Sequence, residues 1–135
     1  MHDKIIGTAL PSVAALAYLG DARHSLYVRE MLVRRGISKS GELNKLSLNY
    51  VTAEAQADMY RKIENLLGDD ERDVFRRASN STHLNCPKRA SITDYRYATG
   101  FEAVIGMLEW LKDEERLEFL LNKSHLEDKE NDTED

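Results

Sequence analysis

Apolar positions recur at helical spacing along most of the chain, and no segment sustains the alternation of a half-buried strand. Val13, Leu16 and Leu19, with alanines between them, predict a helix led in by Pro11 and Ser12. Gly20 weakens or ends it, and a second helix is expected from Asp21, capped or led by the Asp21 carboxylate. Its apolar positions are Ala22, Leu26, Tyr27, Met31 and Leu32, and Arg34-Arg35-Gly36 is a stop signal, with cations in the last turn and glycine just after. After the polar turn Ser38 to Gly41, a helix over Glu42 to Leu48 has Leu43, Leu46 and Leu48 as inward candidates. Thr52 caps the next helix, with Ala55, Met59, Ile63 and Leu66 following at near-helical spacing. Leu67-Gly68-Asp69 closes it. Asp69 or Asp70 caps a further helix with Val74 and Phe75 inward and Arg72, Arg76 and Arg77 outward. Ser79 to Ser91 breaks the pattern, a long connection of the kind that often carries function. From Thr99 an amphipathic helix presents Phe101, Val104, Ile105, Leu108 and Leu111. A last one, around Glu114 to Leu121, presents Leu117, Leu120 and Leu121. The pattern predicts an all-α fold of about seven helices.

Composition narrows this picture. The chain's 135 residues, 41% of them hydrophobic, suit one domain around one core, and two prolines and seven glycines argue against a loop-rich all-β design. The single cysteine, Cys86, excludes an internal disulfide framework and suits a reducing compartment. The opening residues lack a basic segment followed by a long apolar run, and no apolar stretch approaches the ~18 residues of a membrane span. A soluble cytoplasmic protein is expected, with no signal peptide and no membrane partner. The formal net charge of −5 is carried by the stretch from His125 to Asp135, where six acids face Lys129. We therefore expect a neutral domain over residues 1–124 and an acidic disordered tail over 125–135. Within the domain, Arg72, Arg76, Arg77, Lys88, Arg89 and Arg96 outnumber Asp73 and Asp94, so one basic segment could meet a polyanion or simply be a solvated face.

Two carboxylates stand out. Asp21 follows an apolar run and a glycine, where it could cap a helix, face a cleft, or do both. Glu102 lies off the Phe101-Val104-Ile105-Leu108 stripe beside small residues, either exposed or approached by a ligand. They are 81 positions apart, so spacing alone does not pair them. Two oxygen ligands suit Mg²⁺ or Mn²⁺, since Mg²⁺ keeps several waters and takes one or two carboxylates with substrate phosphate. No Cys/His cluster has zinc spacing, and no phosphate-cradling glycine loop or dinucleotide fingerprint occurs. His24 is read as a surface histidine or one behind the site. Ser25, His24 and Asp21 crowd one helical turn without an oxyanion hole and do not make a hydrolase triad.

The run Ala15-Leu16-Ala17-Tyr18-Leu19-Gly20-Asp21-Ala22 resembles the signature helix of ribonuclease III catalytic domains. Thr99-Gly100-Phe101-Glu102-Ala103-Val104-Ile105-Gly106 resembles that family's second motif, in which a metal-binding glutamate precedes Ala-Leu-Ile-Gly. The resemblance is strongest to the Mini-ribonuclease III branch, which lacks the double-stranded RNA-binding domain. Tyr27-Val28-Arg29, Val51-Thr52-Ala53-Glu54-Ala55-Gln56-Ala57, and the segment from Arg76-Arg77-Ala78-Ser79-Asn80 through Pro87-Lys88 to Glu102 fit that branch as well. Ala14 and Thr99 stand where full-length ribonuclease III carries further acids; the Mini branch is like this sequence at both. An additional arginine usual in that branch is absent from Arg77-Ala78-Ser79-Asn80.

The resemblance implies a ribonuclease III-like helical bundle and a homodimer that cleaves double-stranded RNA. Asp21 and Glu102 would hold Mg²⁺ or Mn²⁺ as the catalytic pair, and Arg76, Arg77, Lys88, Arg89 and Arg96 would contact RNA phosphates. By family analogy the substrate is the 23S ribosomal RNA precursor. The alternatives are a ribonuclease III-like dimer that binds RNA without cutting it, and a helical interaction module in which both acids are surface or capping residues.

Overall fold

The computed structural model describes residues 9–81, 86–88 and 91–126. The described residues form helices α1 (Val13–Arg34), α2 (Ser40–Val51), α3 (Ala53–Ile63), α4 (Asp69–Asn80), α5 (Ile92–Trp110) and α6 (Glu114–Ser124), with a short 3-10 turn at Glu64–Leu66. No strand occurs among them.

The expected helix break at Gly20 does not occur. α1 is one helix of 22 residues, capped by Ser12, whose hydroxyl accepts from the Ala15 N–H at 3.1 Å. Asp21 is therefore mid-helix and caps nothing. Its buried stripe is Leu16, Gly20, His24, Val28 and Leu32, a strict four-residue step, while Ala22 and Leu26, expected inward, are exposed. The expected stop holds: α1 ends at Arg34, and Gly36 takes the left-handed φ of 92° that a helix terminus favours.

α5 begins at Ile92 rather than near Thr99, because the Ser91 hydroxyl accepts from the Asp94 N–H at 2.9 Å and caps it there. It is the central helix, burying Ala98, Gly100, Phe101 and the run Ala103 to Leu108 against its neighbours. Thr52 caps α3 as expected. α4 is started by Gly68, whose N–H donates to the Glu71 carboxylate at 2.8 Å, instead of by Asp69 or Asp70. That carboxylate is fully buried and also accepts from Arg116 Nε at 2.9 Å and Nη2 at 2.7 Å, tying α4 to α6. α2 buries no residue; Leu43 and Leu46 are half-buried and Leu48 is exposed. The core gathers Leu16, Met59, Ile63, Val74, Phe101, Val104, Ile105, Leu108, Leu117, Leu120 and Leu121.

α6 also reaches further than expected. His125, assigned above to the tail, is fully buried against α1, because its ring fills space beside His24, Tyr27 and Tyr50. The tail from residue 127 lies outside the described residues.

Candidate active site

Glycines decide where the site forms. A Cβ on Gly20 would overlap the carbonyl of Glu102 and approach the Gly106 nitrogen to 2.8 Å. A Cβ on Gly106 would in turn overlap the Leu16 carbonyl oxygen and approach the Gly20 nitrogen to 2.9 Å. α1 and α5 thus cross backbone against backbone, where only hydrogen fits. Asp21 leaves α1 and Glu102 leaves α5 at this crossing, so residues 81 positions apart in sequence meet.

Asp21 is exposed and Glu102 half-buried. Burial pushes the Glu102 carboxyl up to about 8; the hydrogen bond to Asp21 and its like charge push it further the same way, and the amide donated by Gln56 opposes them. The Asp21 and Glu102 carboxyl groups thus lie within interaction distance of each other at the crossing. Gln56 Nε2, from α3, donates to Glu102 Oε2 at 3.2 Å and also faces His24 Nδ1 at 3.3 Å. His24 is fully buried, and burial lowers its pKa to about 4, so the ring is neutral. It is neither a surface residue nor a triad member.

The donor set is two carboxylates, and no group of three or more His, Cys, Asp or Glu occurs among the described residues. Two carboxyl groups that meet at one crossing would suit a hard divalent cation such as Mg²⁺, which takes one or two protein carboxylates.

The expected RNA contacts are not gathered in the same way. Arg76 and Arg77, on the exposed side of α4, both reach back to Asp73, at 2.7 and 3.1 Å. Arg96 donates through Nε to the Ser79 carbonyl at 2.9 Å and through Nη2 to Asn80 Oδ1 at 2.6 Å, fastening the start of α5 to the end of α4. Lys88 is exposed, and Arg89 lies outside the described residues.

The sequence pattern did not single out Gln56, and of the two places it allowed His24 the structure takes the one behind the site. Both left a signal. Gln56 falls on the apolar stripe Met59, Tyr60 and Ile63, and His24 on the stripe from Leu16 to Leu32. A polar residue on a buried stripe is bound to have a partner.

The Ribonuclease III domain pattern matches residues 14–110, from the second residue of α1 to the last of α5. This chain belongs to the ribonuclease III family. The matched span includes both carboxylates of the site. Over 113 residues the chain is 40% identical to a Mini-ribonuclease 3 of Thermoanaerobacter sp., covering 84% of this chain and 80% of that protein. Over 110 residues it is 38% identical to a Mini-ribonuclease 3 of Enterococcus faecalis, covering 80% and 83%. Within the ribonuclease III family it therefore falls in the Mini-ribonuclease 3 branch. Its fold is similar to the crystal structure of a Fusobacterium nucleatum protein, with a TM-score of 0.75 and 33% identity over 82% of this chain and 88% of that one. The all-α ribonuclease III-like bundle expected from the sequence is thereby established.

Proposed function

We propose that this chain is a divalent-metal-dependent endoribonuclease that hydrolyses double-stranded RNA, with Asp21 and Glu102 as its catalytic and metal-holding pair. The observation that carries the reading is the meeting of these two carboxyls at the α1–α5 crossing, within the span that matches the ribonuclease III domain. Mg²⁺ or Mn²⁺ at this pair would supply positive charge opposite the scissile phosphate and a more acidic water. Asp21, on the exposed side of the crossing, presents its carboxylate toward the substrate. Glu102 would hold the cation together with Asp21, and Gln56 Nε2 donates to Glu102 Oε2 at 3.2 Å. Arg76, Arg77, Lys88, Arg89 and Arg96 act on RNA phosphates. For Arg76 and Arg77 this means exchanging the Asp73 carboxylate for a phosphate at little cost, because surface ion pairs are weak. Recognition is by shape, 2′-hydroxyls and phosphates, since A-form RNA hides its base edges in a narrow groove.

The finer reading follows the branch. The protein acts as a homodimer with one site per protomer, leaves 5′-phosphate and 3′-hydroxyl ends with short 3′ overhangs, and matures the 23S ribosomal RNA precursor in the cytoplasm. Support for a second copy comes from the outer face of α1, where Tyr18, 84% exposed, is followed at helical spacing by exposed Ala22, Leu26 and Val33. No helix among the described residues is long and apolar enough to cross a membrane.

The test is cleavage of a long double-stranded RNA by the full chain, with Mg²⁺, with chelator, and with Asp21→Asn. Metal-dependent fragments, absent with the folded variant, are expected. RNA that is bound but intact in every lane would replace this reading with a non-catalytic RNA-binding dimer.

A further inference from the structure

A line of polar side chains runs from the end of α6 to the active-site glutamate through otherwise apolar surroundings. His125 Nε2 lies 3.0 Å from His24 Nε2, His24 Nδ1 lies 3.3 Å from Gln56 Nε2, and Gln56 Nε2 lies 3.2 Å from Glu102 Oε2. Gln56, His24 and His125 are all buried. The His24 ring stands edge-on to Phe101 at 5.3 Å and 87°, and the His125 ring lies against Tyr27 and Tyr50, at 4.8 and 5.8 Å.

Hydrogen-bonding capacity fixes the direction of every bond. The Gln56 amide nitrogen only donates, so Glu102 Oε2 receives one of its two hydrogens. The second hydrogen points at His24 Nδ1, which must therefore accept. A neutral ring that accepts at Nδ1 carries its proton on Nε2, and that proton donates to His125 Nε2. His125 then accepts at Nε2 and is protonated at Nδ1.

We propose that Gln56 is a positioning residue for Glu102, oriented by the Nε2–H tautomer of His24, which His125 holds in turn. The proposal rests on the nuclease reading for its effect on catalysis but not for its bonding order. The burial that keeps His24 neutral supports it, since a charged ring would present a second donor to the Gln56 amide. Outer partners that orient an active-site carboxylate in this way typically contribute about 10–100-fold to affinity or activity.

The experiment uses the full chain and three variants. Gln56→Met keeps the side chain's length and removes both donors. His24→Phe fills the ring's space but has no acceptor. His24→Asn loses volume and keeps an oxygen near the Nδ1 position. Nitrogen NMR of the wild-type histidines is expected to show the proton on Nε2 of His24 and on Nδ1 of His125. Gln56→Met should lower kcat on double-stranded RNA by about 10-fold or more, with KM nearly unchanged. His24→Asn should melt lower than His24→Phe yet cleave faster, which a purely structural role reverses. Activities that follow the melting temperatures, or a His24 proton on Nδ1, would overturn the proposal. A wild-type chain that cleaves nothing would end the nuclease reading and the catalytic role together, while the tautomers still decide the bonding order.

Discussion

Glu102 and His24 lie one glutamine apart, and burial acts on them in opposite directions. It pushes the acid up to about 8 and the base down to about 4, in both cases because a charge loses its water. For His24 this becomes a statement about stability. The unfolded chain takes up the His24 proton near pH 6.5, whereas the folded chain does so only near 4. Above 6.5 neither state carries it and the full contribution is present; as pH falls through that window the unfolded state gains protons first and stability is lost, by at most about 1.4 kcal/mol per pH unit. Urea unfolding at pH 7 and pH 4.5 should therefore show a smaller loss for His24→Phe than for wild type. Equal losses would mean that His24 is not held neutral. The buried Glu71 sets a second case. Arg116→Met removes the cation that neutralises its carboxylate, and we expect a loss of about 3–5 kcal/mol in unfolding free energy.

Among the helices, the crossing of α1 and α5 matters most. Alanine is a better helix former than glycine by about 1 kcal/mol, so helix propensity alone favours Gly20→Ala. The crossing reverses that sign, because the new methyl would meet the Glu102 backbone, which cannot rotate away as a side chain would. Gly20→Ala should lower the melting temperature and, by prising Asp21 from Glu102, reduce cleavage more than stability alone explains. Gly41 in α2 is the control: nothing lies within 4 Å of a Cβ there, so Gly41→Ala should be neutral or stabilising. A Gly20→Ala protein that melts at or above wild type would refute the backbone contact.

At the scale of the whole molecule, the question is how two large surfaces are used. If the outer face of α1 joins two copies, Tyr18→Glu should shift sedimentation from dimer to monomer without unfolding the chain. An unchanged mass would move the interface elsewhere. RNA affinity should fall linearly with the logarithm of salt as cations are displaced from the phosphates. Lys88 is exposed, and Lys88→Ala should lower that slope by about one. An unchanged slope would take Lys88 out of the RNA surface.

The amino-acid sequence settles the helical class, the core stripes of α5 and α6, Met59 and Ile63 of α3 (though not Leu66, which is exposed), the cap at Thr52 and the stop at Gly36, because these depend on neighbours within a turn or two. It also exposed Asp21 and Glu102 as candidates, but through motif resemblance rather than spacing. That α1 runs unbroken through Gly20 is settled by packing between helices. Local rules read that glycine as a stop, while its purpose is set by a helix whose closest backbone lies some eighty positions away. The same holds for the burial of His24 and for the retention of His125 in the fold. Each is a polar residue whose environment is supplied by other helices, and no property of its own segment reveals which partner that environment contains.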